Sequence, residues 1–132
     1  MASKTGGIGA SRGVSVKGKP YGSEFVSLMK ASNIKFVKPN GADNAKDPLE
    51  TRTPGRVYAT INADEEINSI SYYDKSGRRY KAINLLHSDG DINEPHTHEG
   101  YFHKENGTRH LTDDEKKLVA FVKKLWYNRH SK

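Results

Sequence analysis

The sequence predicts an α+β domain: an antiparallel β-meander whose sheet is covered on one face by an N-terminal and a C-terminal helix. Three observations carry this expectation. Short runs of alternating apolar and polar residues fill the middle of the chain, tight turns rich in Asn, Asp and Gly separate them, and an amphipathic stripe with a strong start signal lies near the C-terminus.

Residues Met1 to Pro20 are rich in Gly, Ser and Lys and lack a hydrophobic period, so we expect a flexible basic arm over 1–20 and a single domain over 21–130. Gly7, Gly9 and Gly13 do not make a phosphate loop, because neither the dinucleotide spacing nor a Gly-Lys-Ser/Thr ending is present. Ser23 is placed to cap a short helix that puts Phe25, Leu28 and Met29 on one face and ends around Asn33. A brief strand follows over Ile34 to Lys38, and Pro39 to Pro54 is read as a long loop.

Arg56 to Asn62, Ile67 to Tyr73 and Arg79 to Leu86 are the three strands of the meander. The turns Asn62-Ala63-Asp64-Glu65 and Asp74-Lys75-Ser76-Gly77 suit hairpins, with Gly77 able to take a positive φ. Thr112 followed by Glu115 is a capping-box signature for the last helix, and Asp113 and Asp114 suit the positive end of its dipole. Its apolar stripe is Leu118, Val119, Phe121, Val122, Leu125 and Trp126, while Lys116, Lys117, Lys123 and Lys124 occupy the other face.

Lys and Arg number 22 against 16 Asp and Glu, a net charge of +6 that favours polyanionic partners. The excess lies at the two ends. Residues 51–110 carry eight basic and nine acidic side chains, so the middle of the chain is not itself a basic patch. The 132 residues contain no cysteine, which excludes disulfides, thiolate metal sites and a cysteine nucleophile. No run reaches the roughly 18 apolar residues of a membrane span, and we expect a cytoplasmic protein with no membrane partner.

Five of the six histidines, His87, His96, His98, His103 and His110, fall within 24 residues. An extended Pro95 to His103 places His96 and His98 on one face and His103 on the other, with His87 at the end of the core-facing row of the preceding strand. Imidazoles serve as acid and base near neutral pH, as RNA cleavage by internal transfer requires at the 2′-hydroxyl and the leaving 5′-oxygen. On that reading His96, His98, His103 and His87 are the candidate acid/base groups and Lys81 a catalytic cation, with Tyr101 as hydroxyl or stacking ring. Arg79, Arg109, Lys116, Lys117, Lys123 and Lys124 are the candidate phosphate contacts.

That chemistry needs no cofactor. The alternative is a His-rich metal site, a transition metal such as zinc held by His96 and His98 with a further ligand. The plainer alternative is that the histidines are ordinary hydrogen-bonding residues. An EF-hand is excluded: in the Asp89-Gly90-Asp91-Ile92-Asn93 segment, position six is Glu94 and position twelve Gly100.

The run from Ile70 through Tyr72-Tyr73-Asp74-Lys75-Ser76-Gly77 to Ile83, followed by Pro95-His96-Thr97-His98, resembles a pattern in C-terminal domains of bacterial polymorphic toxins. It is similar also to the tails of phage minor head proteins. The resemblance covers residues 56–103 and implies a ribonuclease-like toxin or phage-encoded effector of barnase or RelE-like fold, with RNA as the favoured nucleic acid. It further implies an immunity protein or a phage structural partner, and a place in the cytoplasm or in a phage particle. A non-enzymatic nucleic-acid-binding or virion-associated protein is the alternative. Ile83-Asn84 stands where the pattern has Ile-Asp, so any role needing an acid there is not supplied.

Overall fold

A computed structural model of the chain describes residues 10–11, 25–39, 48, 50–53, 55–85, 95–100 and 108–129. Their elements are β1 (Ala10–Ser11), β2 (Phe25–Ala31), β3 (Ile34–Pro39), β4 (Glu50–Thr51), β5 (Val57–Ile61), β6 (Ile67–Tyr73), β7 (Arg79–Asn84), β8 (His96–Glu99), β9 (Thr108–His110) and α1 (Asp113–Tyr127). Seven strands form one open sheet in the order β2-β3-β5-β6-β7-β8-β9, while β1 pairs with β4. All neighbours in the large sheet are antiparallel except β3 and β5. This is the expected α+β class with a meander from β5 onward.

The N-terminal helix is not formed. Residues 25–31 are β2, joined to β3 by the two-residue turn Ser32-Asn33, in which Ser32 has φ 57°. A register shift between Ser27 and Met29 explains why the sequence looked helical. The bulge breaks the two-residue period, so that Phe25 joins one side of the sheet and Met29 packs against the core on the other. The apolar spacing that mimicked one helical face is a strand that changes face midway. One helix, not two, therefore covers the sheet among the described residues.

The turns follow the local chemistry. Asn62 Oδ1 accepts from the backbone N–H groups of Asp64 (2.9 Å) and Glu66 (3.0 Å). Asp74 Oδ1 accepts from Ser76 N (2.9 Å), Ser76 Oγ (2.7 Å) and Arg78 N (3.1 Å). Gly77 has φ 87°, and a β-carbon there would collide with the carbonyl oxygen of Thr51, whose own N–H donates to Gly77 O at 2.8 Å.

Helix α1 begins at a complete capping box: Glu115 N donates to Thr112 Oγ1 and Thr112 N to Glu115 Oε1. Val119, Val122 and Trp126 enter a core floored by Phe36, Ala59, Ile61, Ile70 and Ile83. Trp126 stacks on Phe36 with centroids 5.3 Å apart and donates its indole N–H to Glu65 O at 2.9 Å. Phe121 does not belong to this stripe and is 43% exposed. At 3.6 residues per turn it lies roughly 100–160° around the helix from Val119, Val122 and Trp126.

On the opposite side of the sheet Phe25, Val37, Tyr58 and Tyr73 form a second, smaller cluster. The segment around β4 is tied to it by hydrogen bonds from Tyr73 to Pro48 O (2.6 Å) and between Tyr58 and Thr51 (2.8 Å). No helix among the described residues is long and apolar enough to cross a membrane.

Candidate functional site

The polar chemistry converges on β7, β8 and β9, and strand alternation divides it between the two faces. Cross-strand pairs Ile83↔Thr97, Lys81↔Glu99 and Thr97↔Arg109 belong to the helix side. Ala82↔His98, Asn84↔His96 and His96↔His110 belong to the other.

On the helix side the organising group is Glu115, 2% exposed. Its carboxylate accepts from Lys81 Nζ (2.7 Å), from both terminal nitrogens of Arg109 (2.8 and 2.9 Å), from Thr97 Oγ1 (3.0 Å) and from Thr112 N (2.9 Å). Burial pushes this carboxyl up, but the bonds from Arg109, Lys81, Thr112 and Thr97 outweigh it and hold the group well below the carboxylate range. Arg109 also donates to Glu99, and bonds to Glu115 and then Glu99 raise its pKa further. Lys81 Nζ also lies 4.4 Å from the centre of the Tyr72 ring, and burial followed by the Glu115 charge raises the Tyr72 phenol. The helix start is thus fastened to three strands through one carboxylate.

On the opposite side His96 is fully buried and His98 4% exposed, with ring centroids 4.8 Å apart in an edge-to-face arrangement. The Nε2 atoms of both rings are enclosed. The strand register extends this pair into a polar row across five strands, Thr60↔Ser69, Ser69↔Asn84, Asn84↔His96 and His96↔His110. Thr60, Ser69, Asn84 and His96 are each 9% exposed or less. Thr60 Oγ1 and Ser69 Oγ have no hydrogen-bond partner among the described residues. A second row, Lys35↔Tyr58↔Ser71↔Ala82↔His98, runs beside it. Lys35 is 8% exposed, and burial, then Arg56 and Lys30, lower its pKa.

The structure therefore brings His96 and His98 together as expected and adds His110 across from His96. His87, Tyr101 and His103 lie outside the described residues. Lys81 is engaged by Glu115 on the helix side, away from the imidazoles, and Arg109 is held by two carboxylates. Arg79 is 6% exposed, paired in register with Tyr73, and does not stand at the surface. Lys116, Lys117 and Lys124 are exposed and Lys123 half-buried, as a solvent-facing helix surface requires. Among the described residues no three His, Asp or Glu side chains group closely enough to hold a metal ion, so His96 and His98 have no third ligand there.

The sequence reading missed two things. Glu115 was legible only as a capping residue, because its ion pairs are with residues 6 and 34 positions away. Nothing in the sequence groups Thr60, Ser69 and Asn84, because only the register aligns them with His96. No protein-family model, curated protein or solved structure matches the chain.

Proposed function

We propose that this domain acts on RNA, with His96 and His98 as an acid/base pair on the face of the sheet opposite α1. One observation carries the reading: that face is buried yet polar, from Thr60 through Ser69 and Asn84 to the imidazoles. Enclosing a hydroxyl without a hydrogen bond costs about 1–3 kcal/mol. Among the described residues Thr60 Oγ1 and Ser69 Oγ each lack a partner, on a sheet whose other face carries the main apolar core. Departures from the packing rule of this size concentrate at functional sites.

The chemistry is internal transfer. One imidazole removes the proton of the 2′-hydroxyl as its oxygen attacks phosphorus, and the other protonates the departing 5′-oxygen, leaving a 2′,3′-cyclic phosphate. No metal is required for either step. The largely antiparallel α+β architecture supports the barnase or RelE-like form of this reading. The similarity to polymorphic-toxin domains supports a toxin with an immunity protein as partner, acting in the cytoplasm. The similarity to minor head protein tails supports a phage-encoded effector carried in the particle.

The test is cleavage of single-stranded RNA by the wild type, His96→Gln and His98→Gln, with and without a chelator. Each substitution should lower the rate roughly 10²- to 10⁴-fold with the fold intact. The chelator should change nothing. Absence of cleavage by the wild type, or full activity in both variants, overturns the assignment.

A second reading, nucleic-acid binding without cleavage, is favoured by the helix surface. Lys38, Lys81, Arg109 and Arg129 each lie within 4.0 Å of a glutamate. Lys116, Lys117, Lys123 and Lys124 have no such partner among the described residues. Four lysines without an ion-pair partner among the described residues, over about two turns of one helix, suit a phosphate backbone.

A further inference from the structure

We infer that the outer surface of α1 binds single-stranded nucleic acid, with Phe121 and Tyr127 as stacking platforms for two bases. This deepens the nucleic-acid-binding reading of the helix lysines and rests on it. Phe121 is 43% and Tyr127 61% exposed. Neither ring makes a stacking or cation-π contact among the described residues, unlike Trp126, which stacks on Phe36 and carries the Arg129 guanidinium 3.6 Å from its ring centre.

Helix geometry sets the two rings among the lysines. Phe121 and Tyr127 each stand three positions from Lys124, so steps of about 100° per residue place Lys124 between them, about 60° around the helix from each. The two aromatic positions are about 9 Å apart along the axis. Each also has a lysine one turn before it, Lys117 for Phe121 and Lys123 for Tyr127. No acidic residue follows Glu115 in the helix.

A single strand matches this surface, with lysines for its phosphates and rings for the faces of its unstacked bases. In a duplex the base faces are covered by neighbouring pairs, and an exposed ring has nothing to stack on. The same surface is unlike an apolar docking face. Leu118, Val119, Val122 and Leu125 belong to the main core or pack against it. The outer side is left with Ala120 and two rings parted by a lysine, and it lacks the continuous apolar stripe that a membrane surface or a helix-binding groove requires.

The probe is a short fluorescent oligodeoxythymidylate, compared with duplex DNA of the same length by anisotropy on the full chain over a salt titration. It has no 2′-hydroxyl and so survives the proposed cleavage chemistry. Phe121→Ala and Tyr127→Ala should each weaken single-strand binding roughly fivefold or more, the lower end of what one base-aromatic stack contributes. Duplex affinity should change less than about twofold. The salt slope should stay at the wild-type value in both variants, because no phosphate contact is lost, whereas Lys124→Ala should lower it. Phe121→Trp should bind like the wild type, and Phe121→Leu, apolar but without a flat ring, like Phe121→Ala.

Backbone binding and base stacking fail separately. If both nucleic acids bind with a salt slope but Phe121→Ala and Tyr127→Ala change neither affinity, the lysine reading stands and the stacking inference is overturned. If neither nucleic acid binds at low salt, both are overturned. Binding to phosphatidylserine vesicles that is lost in Phe121→Ala, without binding of the oligonucleotide, assigns the surface to a membrane and also overturns the inference.

Discussion

Replacing Glu115 by glutamine removes one charge and almost no volume, and the structure sets the size of the effect. Breaking a buried ion pair costs about 3–5 kcal/mol, because the partner is left enclosed without compensation. Here the partners are Lys81 and Arg109, whose side chains are 21% and 35% exposed and so regain some water. The amide oxygen of glutamine still accepts from Thr112 N. The expected loss is therefore about 2–3 kcal/mol, a large part of the 5–15 kcal/mol that stabilises a domain.

For a chain of this length that corresponds to a fall in Tm of roughly 10 °C, measured by circular dichroism and urea titration. The pH dependence gives an independent check. The folded carboxyl titrates below its unfolded value, so its contribution is complete above that value, about 4.3, and is lost as pH falls toward the lower folded one. Wild type should lose its advantage over Glu115→Gln as the solution is acidified below about pH 4.5. A destabilisation under about 0.5 kcal/mol, or a gap between the two proteins that does not narrow in acid, would refute the view that this carboxylate ties α1 to β7, β8 and β9.

Other consequences are equally direct. Trp126→Ala should cost about 3–5 kcal/mol in urea unfolding, whereas Phe121→Ala, on the exposed side, should stay within about 0.5 kcal/mol. Gly77→Ala should destabilise by at least about 1 kcal/mol, since φ 87° and the Thr51 carbonyl both oppose a β-carbon; unchanged stability would show that the turn yields. If the α1 lysines bind nucleic acid, log affinity should fall with log salt, and Lys117→Ala should reduce the slope by about one. A slope unchanged in Lys117→Ala, measured by fluorescence anisotropy, would remove that residue from the interface.

The sequence by itself determined the elements whose signals are local. The capping box at Thr112 and Glu115, the stripe of Val119, Val122 and Trp126, the turns at Asn62 and Asp74, and the common face of His96 and His98 all follow from contacts within a few residues. Tertiary structure decided what depends on pairing between distant strands. Residues 25–31 are a strand because β3 lies beside them, and the bulge that pairing imposes disguises their period as helical. Phe121 looked buried because a run of apolar letters does not show which side of a helix its neighbours leave open. Glu115 became the centre of an ion-pair cluster only when β7 and β9 brought Lys81 and Arg109 beneath the helix. The polar row Thr60, Ser69, Asn84 and His96 is set by register, and a shift of one residue on any strand would turn its member of the row to the opposite face.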